Sequence, residues 1–263
     1  LKIPFISFLI KNKIKKGLGL KRAKNIFTGA APTPIATINW FAKLGIYIQE
    51  AYAMTENTCY SHVTLKDNIR VGYVGQALPK CEVKFSQEKE ILIKHEALML
   101  GYYKDIDKTN EIIKDGWLHT GDEGEIDKDG FLRITGRVKD IFKTSKGKYI
   151  APSPIEMKLS ENSNIEQVCI VGTGIPQPIA LVVLSDNAKK SINYKASIEE
   201  TLKDVNQTLD KHEVIHNLIV VDDVWTVENK FLTPSMKIKR KSIEKKYQAN
   251  YSTWYNQNDI IVL

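Results

Sequence analysis

The sequence predicts an α/β protein in two parts, a larger unit over residues 1–138 and a smaller α+β unit over 139–263. Three observations predict it. Between Asn25 and Ile48 short apolar runs alternate with turn residues and one helical stretch, the strand, loop, helix, strand rhythm of α/β folds. Over 69–103 apolar residues come in short runs broken by Gly, by Pro-Lys and by a charged Gln87-Glu88-Lys89 turn, which reads as antiparallel sheet. Near Arg137–Asp140 an acidic body gives way to a smaller mixed unit.

Taken in order, residues 1–24 read as a basic helix. Phe5, Phe8, Leu9, Ile14 and Leu18 recur among the lysines, and Gly17 or Gly19 ends it. Ile26–Phe27 reads as a strand, 29–34 as a loop, the stretch to Leu44 as a helix and Ile46–Ile48 as a second strand. After the antiparallel run a helix is expected at Lys108–Ile113. Residues 126–132 read as a hairpin, because Asp129-Gly130 between apolar flanks supplies the positive φ of a tight turn. Further strands are expected at Val168–Val171, Ala180–Leu184 and Leu218–Val221, with a helix at 197–209 and a basic helix from Met236.

The composition is that of a globular protein: 263 residues, 43% hydrophobic and 26% charged, which sets aside disorder and a disulfide scaffold. The apolar stretch Ile3 to Ile10 is far short of the ~20 residues that span a bilayer. The net charge of +7 is concentrated, with eight bases and no acid in residues 1–24 and seven bases against Glu244 in 230–246. The rest of the chain is therefore net acidic. Such a body is no general polyanion binder, and no nucleic-acid motif accompanies the basic blocks. Cys59, Cys81 and Cys169 are odd in number and far apart, which fits a reducing cytosol. Leu1 stands where Met would, no signal-peptide grammar follows it, and the chain reads as a fragment.

Several stretches carry chemistry-bearing residues, each with an ordinary reading beside it. His212-Glu213-Val214-Ile215-His216 has the letters of a zinc-protease helix. It runs straight into a strand signal at Leu218 and no third ligand follows, so a helix end is expected there and no zinc. Gly172-Thr173-Gly174 is half a dinucleotide fingerprint and, with Pro176 behind it, reads as a turn. The stretch from Gly116 to Glu125 reads either as a β-turn at Gly121-Asp122 or as a site where the Asp122 carboxylate takes a vicinal diol, as for a ribose.

Glu50 to Asn57 follows a strand, where α/β sheets place ligands. Tyr52 offers a flat face to a base, Thr55 a hydroxyl to a phosphate and Glu56 a hard oxygen to Mg²⁺; the ordinary reading is a helix N-cap by Thr55 or Asn57. Residues 136–148 place five cationic side chains around two glycines, otherwise a solvated turn. Residues 234–241 read as a helix start with a basic face, unless one lysine is aimed into a site.

Their order carries a resemblance. Gly29-Ala30-Ala31-Pro32, Tyr52-Ala53-Met54-Thr55-Glu56, Gly116-Trp117-Leu118-His119-Thr120-Gly121-Asp122, Gly136-Arg137-Val138-Lys139-Asp140 and Pro234-Ser235-Met236-Lys237 together resemble the adenylate-forming (AMP-binding) superfamily. Lys146 to Pro152 and Leu232 to Arg240 look like its long-chain fatty-acid–CoA ligases in particular. The resemblance runs from about Asn25 to Tyr247 and implies the C-terminal part of the large domain followed by a small mobile lid domain. It implies a carboxylate activated by MgATP to an acyl-adenylate, then attack by CoA.

By resemblance, Gly29, Ala30 and Ala31 lie beside adenine, Tyr52 stacks on it, Thr55 contacts the α-phosphate and Glu56 holds Mg²⁺. Asp122 takes the ribose hydroxyls with Arg137 next to them, Lys237 is the cation bridging carboxylate and phosphate, Lys139 is the hinge, and Gly147 lies on the CoA path. Fatty acid, ATP and CoA are the implied partners, with no nucleic acid. Two features depart from the pattern: Ala53 stands where the family usually has Gly, and no Gly/Ser/Thr-rich phosphate loop precedes Gly29. That loop and the acyl tunnel are expected in a missing N-terminal half.

Two other functions stand beside this one. One is a non-catalytic piece with a partial nucleotide site and a lid. The other is an adenylating enzyme that passes its acyl group to a carrier protein. A cytoplasmic location is expected. The basic 1–24 segment reads either as peripheral contact with an anionic membrane or as an internal helix of the large domain.

Overall fold

The structure, a computed structural model, describes residues 4–31, 33–257 and 261–262. The chain divides into two compact units, one up to Ile134 and one from Thr135. In the first, α1 (Pro4–Gly17) carries Lys15 and Lys16 in its last turn, where the partial negative charge of a helix end favours them. A four-stranded sheet follows in the order β1 (Ile26–Thr28), β2 (Ile48–Tyr52), β3 (His62–Val63), β4 (Gln76–Ala77). β1 and β2 are parallel and joined by α2 (Ile35–Lys43), whose Ile38 is buried. β2 begins where the sequence placed its end, so Glu50, Ala51 and Tyr52 lie in the strand and not after it. The buried Gln49 side chain donates to the Thr64 carbonyl at 2.7 Å, which is how a polar residue sits inside this strand.

The second sheet contains β5 (Glu82–Phe85), β6 (Glu90–Lys94), β7 (Ile113–Lys114), β8 (Trp117–Ile126) and β9 (Leu132–Arg137), with β6 and β9 both paired to β8. Val71 and Val74, expected in strands, lie outside them. α3 (Ile106–Ile112) starts before the expected Lys108 because the Asp105 carboxylate caps it, accepting from the Lys108 N–H at 3.0 Å. The hairpin turns at Asp129-Gly130 as expected, with Gly130 at φ 82° and its N–H donating to the Asp127 carbonyl at 3.0 Å. The Asp127 carboxylate accepts from the N–H groups of Asp129 and Phe131, at 2.9 and 3.0 Å, and pairs with Arg70.

Val74 N–H donates to the Leu132 carbonyl at 2.8 Å and Leu132 N–H to the Gly75 carbonyl at 2.9 Å, which laces the β3–β4 connection to β9. Ile91, Ile93 and Leu132 form the buried core here, with Tyr52 packed against it.

His62 of β3 is 2% exposed, and burial pushes its imidazole down to about 4. The unfolded histidine binds a proton below about pH 6.5 and the folded one does not until about pH 4, so stability falls as pH drops through that window, by about 3 kcal/mol in full. Urea melts between pH 7.5 and 4.5 are expected to show this slope and to show a flatter one for His62→Gln; equal slopes would contradict it.

The second unit opens with the hairpin β10 (Phe142–Lys143) and β11 (Tyr149–Ile150), then α4 (Pro152–Leu159). Its sheet runs β12 (Ile165–Val171), β13 (Ile179–Leu184), β14 (Leu218–Val220), β15 (Ile261–Val262), with β12 and β13 antiparallel and the rest parallel. The other helices are α5 (Asp186–Lys189), α6 (Tyr194–Gln207), α7 (Arg240–Tyr247) and α8 (Tyr251–Tyr255). Alternate strand residues point to opposite faces, and both faces are covered. Ile170, Val182 and Val220 pack against Ile155 and Leu159 of α4 and Ile198 of α6. Cys169, Leu181 and Ile219 pack against Trp225, Ile243 of α7 and Trp254 of α8. That double burial is why β13 is an unbroken apolar run.

Two expectations fail in this unit. His212 to His216 lie on no helix: 211–213 form a turn, His216 N–H donates to the Pro178 carbonyl at 2.8 Å, and its ring stacks on Tyr255 at 4.1 Å. The basic helix begins at Arg240 rather than Met236, because 233–237 close into a turn of their own. Gly172-Thr173-Gly174 does form the turn between β12 and β13.

Candidate functional site

β1 and β2 run side by side, and the chain leaves β1 through residues 29–31. A Cβ on Gly29 would stand 3.0 Å from the Ala51 carbonyl oxygen, so glycine keeps this close approach to β2 free of a tight contact. Ala30 holds the left-handed region at φ 66°, and Pro32 lies outside the described residues. At the end of β2, the half-buried Tyr52 donates its hydroxyl to Asp122 Oδ2 at 2.8 Å. Ala53 stays out of the left-handed region, so an alanine where the family usually has glycine strains nothing.

Asp122 is aimed by a bulge, not by the β-turn that the sequence suggested. Leu92 pairs with His119 and Glu90 with Glu123, which leaves β8 with more residues than β6 between the two pairs. Glu90 holds the bulge: its Oε1 accepts from the Gly121 N–H at 2.8 Å and its Oε2 lies 2.9 Å from His119 Nδ1. The Thr120 hydroxyl donates to the Ile91 carbonyl at 2.8 Å and accepts from the Asp122 N–H at 3.1 Å. Glu90 was missed in the sequence, where it looks like one more charge in a turn; its partners are about thirty residues away.

Thr55 and Glu56 lie in a 3-10 turn, Thr55–Asn57. Neither Thr55 nor Asn57 is the N-cap. Met54 holds that place, and the fully buried Asn57 reaches back to accept from the Met54 N–H at 3.0 Å. Thr55 is exposed. Glu56 is fixed twice: its carbonyl accepts from the Met99 N–H at 2.8 Å and its Oε1 from the Tyr102 hydroxyl at 2.6 Å. Burial, then the neighbouring carboxylate, pushes Tyr102 up to about 12, so it stays a donor. Tyr102 is in turn held by Thr109, which accepts from its N–H at 2.9 Å.

No group of three or more His, Cys, Asp or Glu that could cage a metal occurs among the described residues. A lone, oriented carboxylate fits Mg²⁺ in its common mode, shared with substrate phosphates and water.

The remaining predicted residues belong to the second unit. Arg137 ends β9, and Lys139 lies in the short 3-10 turn Val138–Asp140. Gly147 takes φ 76° in the β10–β11 hairpin, a conformation that glycine supplies without strain. Its N–H donates to the Thr144 carbonyl at 2.9 Å, and Ser145 N–H donates to Ile175 at 3.0 Å. Lys237 is exposed on a turn, with Thr233 N–H donating to its carbonyl at 2.8 Å and its own N–H donating to the Thr233 hydroxyl at 3.0 Å. Leu232 bridges to Ile238 below it.

Residues 5–103 match the family model for AMP-binding enzymes, and residues 139–259 match that for the AMP-binding enzyme C-terminal domain. Long-chain-fatty-acid–CoA ligase 5 of Rattus norvegicus is 33% identical over 280 residues, which cover 94% of this chain and 41% of that protein. Long-chain-fatty-acid–CoA ligase FadD15 of Mycobacterium bovis is 28% identical, over 95% of this chain and 44% of that protein. This chain thus spans less than half the length of these relatives.

Among solved structures, the adenylation domain of a carboxylate reductase from Mycobacterium chelonae superposes with a TM-score of 0.76 at 22% identity, over 96% of this chain and 42% of that one. The ATP-bound RpMatB-BxBclM chimera B3 gives 0.68 at 26%, over 87% and 46%.

Proposed function

Because this chain belongs to the AMP-binding, adenylate-forming enzymes, we propose that it is the C-terminal part of a long-chain fatty-acid–CoA ligase. The observation that carries the substrate class is the likeness to such ligases along 94% to 95% of the chain. In the reaction, a fatty-acid carboxylate oxygen attacks the α-phosphorus of ATP and the bond to pyrophosphate breaks. The CoA thiolate then attacks the acyl carbonyl, and AMP leaves with its electron pair.

The Tyr52–Asp122 contact supports a nucleotide site in the first unit. Asp122 takes the ribose hydroxyls, with Arg137 beside them, while the Tyr52 ring, fixed through its hydroxyl, stacks on adenine next to the Gly29, Ala30 and Ala31 backbone. Thr55 meets the α-phosphate. Glu56 holds Mg²⁺, which supplies charge neutralisation at the phosphates when bound. Lys237 adds the cation that spans carboxylate and α-phosphate as charge develops in a dry site. Residues 139–263 act as the lid, with Lys139 as the hinge and Gly147 on the path of the CoA arm.

The phosphate loop and the acyl tunnel belong to an N-terminal half outside this sequence, and this chain alone is inactive. The enzyme works in the cytoplasm. Ile6, Phe8, Leu9 and Ile10, exposed beside lysines on α1, offer a surface for peripheral membrane contact. No helix among the described residues is long and apolar enough to cross a membrane.

The full-length protein given a long-chain fatty acid, MgATP and CoA is expected to form acyl-CoA. Acyl-adenylate made without any CoA thioester would instead point to a carrier-protein acceptor, and no adenylate at all would point to a non-catalytic role.

A further inference from the structure

The Lys237 turn is tied down by a buried ion pair that its basic sequence conceals. Arg240 opens α7 three residues further on, and its side chain is 10% exposed against 16% for that of Glu156, its partner on α4. The guanidinium donates to Glu156 Oε1 at 2.6 Å, to the Ile170 carbonyl at 2.5 Å and to Cys169 Sγ at 3.1 Å. Glu156 Oε1 also accepts from the Ile170 N–H at 2.7 Å, so one carboxylate oxygen joins α7, α4 and β12. Burial raises the Glu156 carboxyl, and the adjacent guanidinium pulls it back.

A pair of this kind is weak evidence for stability, since apolar residues of the same volume often do as well. What it does here is fix a place. Lys239 N–H donates to the Phe231 carbonyl at 2.8 Å, so the chain is also held at the residue before Arg240, while Lys237 stands exposed. The β10–β11 hairpin has anchors of its own, Thr144 N–H to Lys148 at 2.9 Å and Ser145 N–H to Ile175 at 3.0 Å.

We propose that the Arg240–Glu156 pair positions Lys237 for the adenylation step by fixing the foot of its turn to the sheet and α4. This rests on Lys237 being the adenylation cation. Arg240 is a positioning residue, with no contact to the reacting atoms.

The test uses the full-length protein with Arg240→Lys, which keeps the charge but cannot make three directed bonds from one planar group. Adenylation is expected to fall 10- to 100-fold, the scale of a small misplacement of a catalytic group. Thioester formation from supplied acyl-adenylate should stay within about twofold, which also shows that the lid is folded. The Thr233 and Lys239 amides should exchange faster with solvent while those of Ser145 and Gly147 keep their protection. Glu156→Gln, which retains an acceptor for the Ile170 N–H, should give a smaller loss in the same half-reaction.

Equal loss of both half-reactions, no loss of adenylation, or unchanged exchange at Thr233 and Lys239 would overturn the proposal. If Lys237→Ala leaves adenylation intact, the role of Lys237 fails and takes the catalytic meaning of the pair with it. Faster exchange in Arg240→Lys would then still record the anchoring.

Discussion

Lys237→Ala in the full-length protein is expected to lower fatty-acid adenylation by about a hundredfold or more while sparing thioester formation from supplied acyl-adenylate. The size follows from what a cation contributes where charge develops. Attack on the α-phosphorus gathers negative charge on the phosphoryl oxygens and on the departing pyrophosphate, and removing one preorganised partner from such a site typically costs 10²- to 10³-fold. The selectivity follows from the second step, in which the acyl–phosphate anhydride is already formed, the thiolate attacks the acyl carbon and AMP leaves as a stable anion. Lys237 suits the first step because it is exposed where its turn closes, its N–H and carbonyl both bonded to Thr233 and Leu232 bridging to Ile238 beside it. Half-reaction assays on one preparation decide this; equal loss in both would remove Lys237 from its assigned role.

Glu56→Gln is expected to be nearly as damaging to adenylation, about 10²-fold, with a higher Mg²⁺ concentration at half-maximal rate. The substitution is chosen because the amide keeps an oxygen for the Tyr102 hydroxyl, now 2.6 Å from Oε1, and leaves the Met99 bond to the backbone untouched. What it removes is the charge. A metal held by one protein carboxylate and by phosphates loses a large share of its protein binding with that charge. A Mg²⁺ titration of adenylation rate compares the two proteins, and an unchanged midpoint with an unchanged rate would assign Glu56 a structural role at the 3-10 turn.

Much of this was legible in the sequence, for a physical reason: the motifs that carry the resemblance are short and local. The α1, β1 and α2 readings needed only periodicity and turn residues, and they stand with boundaries close to those expected. What was hidden depends on distant partners. β2 runs on to Tyr52 because Gln49 and Glu50 find acceptors and donors in the Thr64 and Gly72 backbones, which hydropathy cannot register. The bulge that aims Asp122 rests on Glu90, and its target Tyr52 lies 70 residues away.

Lys237 was placed on a helix because Pro234 and a basic run imitate a helix start; the Thr233 hydroxyl, by accepting from the Lys237 N–H, closes a turn there instead. Arg240 looked like one more solvated base for the same reason that it is informative now, since its partner on α4 is 84 residues earlier in the chain. The zinc-like letters at His212 show the converse, a local pattern that the surrounding fold does not use.

The most direct measurement of the central claim is product formation by the full-length protein supplied with a long-chain fatty acid, ATP, Mg²⁺ and CoA. Acyl-CoA and AMP appearing in equal amounts, each dependent on the fatty acid, is the predicted result. Formation of ADP in place of AMP, or acyl-adenylate that never passes to CoA, would contradict it.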